Sequence, residues 1–150
     1  MGQNETKATI NFAENDYFVG VTPSGHAQVI ETNSARGTAA TPMELLLLAL
    51  GSCTGVDVVS ILRKKRQEVT GYSIEVTGQR REEFPRSYTQ LDVKHIVRGH
   101  NVSPQAVARA IELSDTKYCS VAATLRGTAK IVSSYEIIED RGDQRPVPDL

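Results

Sequence analysis

The chain of 150 residues contains two cysteines, Cys53 and Cys119, whose sulfur atoms could carry redox or nucleophilic chemistry. The N-terminal sequence MGQNETKATINF lacks a basic segment followed by an apolar stretch, so we predict no secretory signal and a cytoplasmic location. In a reducing compartment, a cysteine pair is more often catalytic or redox-active than structural. A thiol can also act as a small buried apolar side chain, and this alternative stays open for both residues.

Cys53 lies in the middle of a predicted helix, within the run GSCTG at residues 51–55. Each glycine of this run costs a helix interior about 1 kcal/mol relative to alanine, so we expect a second helix or a small substrate to approach closely. Asp57 follows one helical turn later, and a carboxylate on the same face disfavours a thiolate. A reactive Cys53 would therefore need a cation, for which Arg36 is a candidate, although a surface role also explains that arginine.

Cys119 has a different predicted environment, at or just before the first turn of a short helix over Ser120–Leu125. The free N–H groups and the dipole of a helix N-terminus favour a thiolate, and Lys117 is close in sequence. We therefore expect Cys119 to be the more acidic of the two thiols. The alternative is that it packs beneath the last strand.

Other kinds of site find little support in the sequence. His26, His95 and His100 lack the spacing of zinc ligands, and no glycine-rich phosphate loop is present, so we predict neither a metal nor a cofactor. The net charge of −1 gives no electrostatic argument for nucleic-acid binding. We predict that the protein binds no nucleic acid and does not associate with membranes.

One long helix should organise the chain, capped by Thr41, beginning with Pro42 and carrying Glu44 in its first turn. We expect it to end near Glu68. Because its first half is apolar on nearly every side, the helix must be enclosed by protein or lipid. We favour protein, because Glu44 and Asp57 bracket an apolar run shorter than the roughly 18 residues that a membrane span needs.

Three short strands are predicted before this helix, and two long strands, two helices and a final strand after it. The predicted strands are Lys7–Phe12, Tyr17–Thr22, His26–Glu31, Tyr72–Arg81, Ser87–Arg98 and Ala129–Ile138. Ser103 should cap the second helix, which begins at Pro104. This order predicts an α+β fold with antiparallel sheets around the central helix. One domain is expected over residues 1–138, and the charged segment 139–150 is expected to be disordered.

Two segments carry a resemblance to a known family. They are TPMELLLLALGSCTGVDVVSILRKKR, which contains Cys53, and LSDTKYCSVAATL, which contains Cys119 at a spacing of 66 positions. Together with the order of strands and helices, they resemble the OsmC/Ohr family of bacterial peroxide-resistance proteins over roughly Lys7 to Glu139. The motifs are more similar to the YhfA-like branch than to the organic-hydroperoxide-resistance proteins proper.

The resemblance implies an intertwined homodimer, in which two central helices lie side by side between sheets from both chains. It implies that Cys53 attacks a peroxide O–O bond and becomes a sulfenic acid. Cys119 then resolves the sulfenic acid as a disulfide, which a thiol or a lipoylated protein reduces. The implied function is a cysteine-based reductase of organic or small hydroperoxides.

Two positions depart from the family pattern. Well-studied members use an arginine from the N-terminal region, whereas the first arginine here is Arg36. They also have a glutamate directly after the helix-opening proline, where this chain has Met43 followed by Glu44. Arg36 and Glu44 are therefore the candidates for activating Cys53. The alternative function is a non-catalytic dimer that binds a small molecule or senses redox state on the same scaffold.

Overall fold

The computed structural model describes residues 4–142, so most of the segment predicted to be disordered lies outside the described residues. The chain divides into two compact units, one ending at Leu46 and the other beginning at Leu47. The predicted α+β class is confirmed, because the described residues form two three-stranded sheets together with helices.

The first unit contains an antiparallel meander of three strands, β1 (Thr9–Phe12), β2 (Tyr17–Val21) and β3 (Ala27–Glu31). The turn between β1 and β2 contains two consecutive residues with positive φ, Asn15 and Asp16, which are among the types that adopt this conformation most readily. All three strands were predicted from the sequence, and their bounds differ from the prediction by no more than two residues at either end.

Helix α1 (Pro42–Lys64) begins in the first unit with a capping box. The Glu44 carboxylate accepts hydrogen bonds from the backbone N–H and the hydroxyl of Thr41, at 2.7 and 2.9 Å. The Thr41 hydroxyl oxygen in turn accepts the N–H of Glu44 at 3.3 Å. These bonds satisfy donors that the first helical turn leaves free, which confirms the predicted helix start.

The end of α1 differs from the prediction, because the helix stops at Lys64 instead of near Glu68. Arg66 adopts a left-handed conformation with φ of 54°, and the N–H of Gln67 bonds back to the carbonyl of Leu62 at 3.0 Å. This arrangement is a Schellman-type C-cap, which usually uses glycine. Because arginine occupies that position, no glycine marks the helix end in the sequence.

The sheet of the second unit consists of β4 (Glu68–Arg80), β5 (Tyr88–His100) and β6 (Lys130–Glu139), in that order. Strands β4 and β5 form a long antiparallel hairpin, whereas β5 and β6 are parallel. The prediction of purely antiparallel sheets is therefore wrong for this pair. Parallel neighbours need a crossover connection, and the helices between β5 and β6 supply it.

The crossover contains α2 (Pro104–Leu113), a π-helical turn (Ser114–Tyr118) and α3 (Ser120–Leu125). Ser103 caps α2 by accepting the N–H of Ala106 at 3.2 Å, as predicted. A core forms where α1 and α2 meet β5 and the residues after it. Its buried members are Val58, Leu62, Val97, Val102, Ala106, Val107, Ala110 and Ile111.

The glycines of α1 face strand β4. A Cβ atom on Gly51 would lie 3.1 Å from Cγ2 of Val76, and one on Gly55 would lie 3.0 Å from Cδ1 of Ile74. The group that approaches this face is thus a strand of the same unit, and the expectation of a second helix or a substrate there is wrong. The absence of side chains at both positions lets α1 lie close to the sheet.

By length and composition alone, α1 is long and apolar enough to cross a membrane, with a mean hydropathy of 2.1 over its best window. The expectation that its apolar run is too short is therefore wrong. In the second unit, however, α1 buries Leu50, Thr54, Val58 and Leu62. A helix with one face buried in this way belongs to a protein core, so we interpret α1 as a core helix.

We predict that Gly99→Ala destabilises the second unit by about 2 kcal/mol or more, because overpacking against rigid backbone cannot relax. The added Cβ would lie 2.1 Å from the carbonyl oxygen of Glu68. Gly127→Ala is the matched control, since a Cβ there has no heavy atom within 4 Å. Urea unfolding measures both, and equal midpoints for the two variants would contradict the prediction.

Candidate active site

The second unit brings the two cysteines together. Cys53 is half-buried on α1, and Cys119 is buried at the start of α3, with 3% of its surface exposed. Both are free thiols, and the two side chains interact with each other. Residues 66 positions apart in sequence therefore form one dithiol site.

Cys119 is the N-cap residue of α3, with extended backbone angles of −73° and 101°. Its sulfur accepts the N–H of Ala122 at 3.4 Å, which is the geometry expected of a side chain that caps a helix. Its own N–H donates to the carbonyl of Ser114 at 2.9 Å and closes the π-helical turn. The predicted position of Cys119 at the helix start is confirmed.

The expected acidity of Cys119 is wrong in direction. Burial raises the pKa of the Cys119 thiol to about 11, although the N–H of Ala122 acts to lower it. The Cys53 thiol and the Asp57 carboxylate raise this pKa further. Because α3 has only six residues and its N-cap Cys119 is buried, the loss of solvation outweighs the favourable end of the helix.

A buried polar network connects α1 with the π-helical turn. The Ser114 hydroxyl lies 2.9 Å from the Thr54 hydroxyl and 2.9 Å from Oδ2 of Asp57. An ionised carboxylate only accepts hydrogen bonds, so Ser114 donates to Asp57 and the Thr54 hydroxyl donates to Ser114. The pairing of Ser114 with Thr54 and Asp57 was not predicted from the sequence. Ordinary hydroxyl residues gave no signal of this pairing.

A second buried polar pair lies on the sheet of this unit. His95 is fully buried on β5, and its Nδ1 shares a hydrogen bond of 2.6 Å with the hydroxyl of Tyr72 on β4. Burial lowers the pKa of His95 and raises that of Tyr72, so both stay neutral near pH 7. The alternation of Val93, His95 and Val97 along β5 is the sequence signal from which the burial of this histidine could have been predicted.

Arg36 lies in the first unit, where its guanidinium already has an anionic partner. Its Nε donates to Oε1 of Glu31 at 2.6 Å, and the Glu31 side chain is fully buried. The same guanidinium donates to the carbonyl of Asn15 and lies 4.6 Å above the Tyr17 ring. Arg36 is therefore engaged in holding a buried carboxylate, and its role in activating Cys53 stays a prediction.

Hydrogen bonds keep the buried Glu31 ionised. Burial acts to raise the pKa of Glu31, but the hydroxyl and N–H of Thr38, the Arg36 guanidinium and the N–H of Ala39 together lower it below its usual range. The other activation candidate, Glu44, belongs to the capping box of α1. The N–H and hydroxyl of Thr41 lower the pKa of Glu44, and its activating role also stays a prediction.

A cavity of about 370 Å³ lies beside the Ser114 network. It is lined by Asp57, Ser60, Ile61, Lys64, Lys65, Leu113 and Tyr118. Two of these residues adjoin the dithiol site, since Asp57 raises the pKa of Cys119 and Tyr118 precedes Cys119 in the chain. Within residues 4–142, no group of three or more His, Cys, Asp and Glu side chains is arranged to hold a metal ion.

Comparisons with known proteins agree with this architecture. A family model described as OsmC-like protein matches residues 35–134. The chain is 42% identical over 132 residues to protein YhfA of Escherichia coli strain K12, covering 88% of this chain and 98% of YhfA. The chain therefore belongs to the family of OsmC-like proteins, which confirms the resemblance seen in the sequence.

Solved structures share the fold. A hypothetical protein from Aquifex aeolicus VF5 is similar with a TM-score of 0.82 and 32% identity, covering 93% of this chain and 100% of that one. The organic hydroperoxide resistance protein OhrB of Bacillus subtilis has a TM-score of 0.63 and 14% identity, covering 90% and 100%. At that identity, the second likeness concerns the fold alone.

We predict that alkylation of Cys119 by iodoacetamide accelerates with pH until about pH 11, because only the thiolate reacts and its pKa is raised. Mass spectrometry of the labelled peptides separates Cys119 from Cys53 at each pH. A rate that already reaches its plateau below pH 9 would contradict the high pKa of Cys119.

Proposed function

We propose that this protein is a thiol-dependent reductase of organic or small hydroperoxides, with Cys53 as the nucleophile and Cys119 as the resolving thiol. The observation that carries the proposal is the interaction of two free cysteines from α1 and α3 in one site. Membership of the OsmC-like family supports it, as does the shared fold of proteins named for organic hydroperoxide resistance.

In the first step, the Cys53 thiolate attacks the terminal oxygen of the peroxide O–O bond. The S–O bond forms as the O–O bond breaks, Cys53 becomes a sulfenic acid, and the alkoxide leaves as an alcohol after taking up a proton. Cys53 is the residue assigned to this step because it is half-buried, and so more accessible than Cys119.

In the second step, the Cys119 sulfur attacks the sulfenic sulfur of Cys53. The S–S bond forms, the S–O bond breaks, and the hydroxide leaves as water with the proton of the Cys119 thiol. An external dithiol, for which a lipoylated protein is our candidate, then reduces the disulfide and is itself oxidised. This cycle consumes one peroxide and one dithiol.

The cavity beside Asp57 offers a route for substrate. Its apolar lining residues, Ile61, Leu113 and Tyr118, suit the carbon chain of an organic peroxide. Lys64 and Lys65 are also in the lining and are exposed on the surface. Arg36 and Glu44 are the candidates for activating Cys53, and their exchange by neutral residues tests that role.

We also propose that the active protein is a homodimer. Leu48 and Val56 are each 65% exposed on α1, and Ser52 between them is exposed on the same face. Residues four apart lie along one side of a helix, so these three form a stripe, which we call the α1 outer stripe. The Ser52 hydroxyl already donates to the carbonyl of Leu48 at 2.7 Å, so it can be covered without losing a partner.

The alternative function is a non-catalytic dimer that binds a small molecule or senses redox state. The engagement of Arg36 with Glu31 favours it, because a guanidinium held by a carboxylate is less effective at stabilising a thiolate. Under this alternative, the dithiol would oxidise reversibly, while peroxide consumption would not exceed that of a free thiol.

We predict that Cys53→Ser abolishes peroxide consumption in the presence of a dithiol reductant, because no sulfenic acid can form. Without reductant, Cys119→Ser should still consume one equivalent of peroxide and accumulate sulfenic acid, since it lacks only the resolving thiol. Peroxide loss and intact mass measure both variants. Turnover that survives in Cys53→Ser would refute the proposed mechanism.

We predict that Leu48→Glu or Val56→Glu weakens dimerisation at least about tenfold, because each places an unpaired charge in the interface. Ala108→Glu is the control, since it adds the same charge at an exposed position of α2. Sedimentation equilibrium gives the association constants. An unaltered protein that is monomeric at micromolar concentration would overturn the dimer proposal.

A further inference from the structure

Ser114 connects the two elements that carry the cysteines. Its hydroxyl is hydrogen-bonded to Thr54 and Asp57, which lie one and four positions after Cys53 on α1. Its carbonyl accepts the N–H of Cys119. Ser114 is therefore tied to α1 through its side chain and to Cys119 through its backbone.

The connection is buried and fully paired. Ser114 has no exposed surface and Thr54 has 1%, so water does not compete for their hydroxyls. Ser114 also ends α2, where its N–H donates to the carbonyls of Ala110 and Ile111. Every polar group of Ser114 thus has a partner, and these partners lie on α1, on α2 or at Cys119.

Disulfide formation is sensitive to this kind of positioning. The two Cα atoms of a disulfide usually lie 4.4–6.8 Å apart with a restricted dihedral angle, so small displacements exclude bonding. Burial keeps Cys119 largely protonated at neutral pH, so a high thiolate fraction cannot drive its attack. The rate must therefore depend on how well the two sulfurs are held together.

We propose that Ser114 is a positioning residue for the resolving step, holding Cys119 in bonding reach of Cys53 through its hydrogen bonds to Thr54 and Asp57. This inference rests on the proposed function for its role in turnover. It concerns the second step only, because Cys119 takes no part in the bonds that form and break when Cys53 attacks a peroxide.

The test separates the two steps in Ser114→Ala. Rapid mixing with a hydroperoxide should show sulfenic acid formation within about twofold of the unaltered protein, whereas disulfide formation should slow at least about tenfold, as expected for lost positioning. Sulfenic acid should accumulate and be over-oxidised to sulfinic acid more often. Thr54→Val removes one of the two side-chain partners of Ser114 and leaves the bond to Asp57, so it should slow disulfide formation by a smaller factor while sulfenic acid formation stays within about twofold.

Ser120→Ala is the matched control. This serine adjoins Cys119 but is exposed, and its removal should leave both rates unchanged. If Ser114→Ala alters the two steps equally, or alters neither, the proposal is overturned. If Ser114→Ala does not fold, Thr54→Val decides by the same criteria.

A second measurement is independent of peroxide. In glutathione redox buffers, the effective concentration of the dithiol reports how well the two sulfurs are aligned. Ser114→Ala should lower it about tenfold relative to Ser120→Ala. If the unaltered protein forms the disulfide in these buffers but does not react with peroxides, the proposed function is wrong. The positioning role of Ser114 is then decided by the effective concentration alone, and an unchanged value in Ser114→Ala would overturn it.

Discussion

The close approach of α1 to strand β4 is the contact on which the second unit depends. Gly51 and Gly55 leave room for Val76 and Ile74, so the helix axis lies nearer to the sheet than larger residues would allow. The remaining positions of α1 then have fixed directions. Val58 and Leu62 enter the core, Thr54 and Asp57 reach Ser114, and Cys53 meets Cys119.

The two thiols of the site lie in different environments, and the proposed reaction uses them in different steps. Burial favours the neutral thiol of Cys119, and the nearby Asp57 carboxylate acts in the same direction. Cys53 is more accessible on α1. In the proposed reaction, the more accessible Cys53 reacts with the peroxide. The buried Cys119 reacts only with the sulfenic acid that forms on Cys53.

Much of the fold follows from local sequence signals. Thr41-Pro42 with Glu44 marks the start of α1, Ser103-Pro104 marks α2, and alternation locates the long strands. The end of α1 was not predictable, because Arg66 occupies a position where glycine is the usual signal. The parallel pairing of β5 with β6 was missed because strand direction depends on the crossover and leaves no local trace.

The two cysteines of the candidate site were predictable from the sequence, but the polar residues around them and the acidity of Cys119 were not. Two cysteines in motifs that resemble a known family were enough to select Cys53 and Cys119. The acidity of Cys119 was misjudged because its burial is a tertiary property, whereas the helix start is a local one. The partners of Arg36 could not be read from sequence either, since Glu31 is buried only once the first unit has folded.

The π-helical turn sets the direction in which Cys119 leaves the crossover. Such a turn holds one residue more than an α-helical turn, because Cys119 bonds to the carbonyl five positions earlier instead of four. Shortening this segment by a single residue would rotate everything after it by about 100° around the helix axis. The length of the five-residue stretch Ser114–Tyr118 is thus as restrictive as its composition. An insertion or deletion there would turn the Cys119 sulfur away from Cys53, although every residue that contacts Cys119 would still be present.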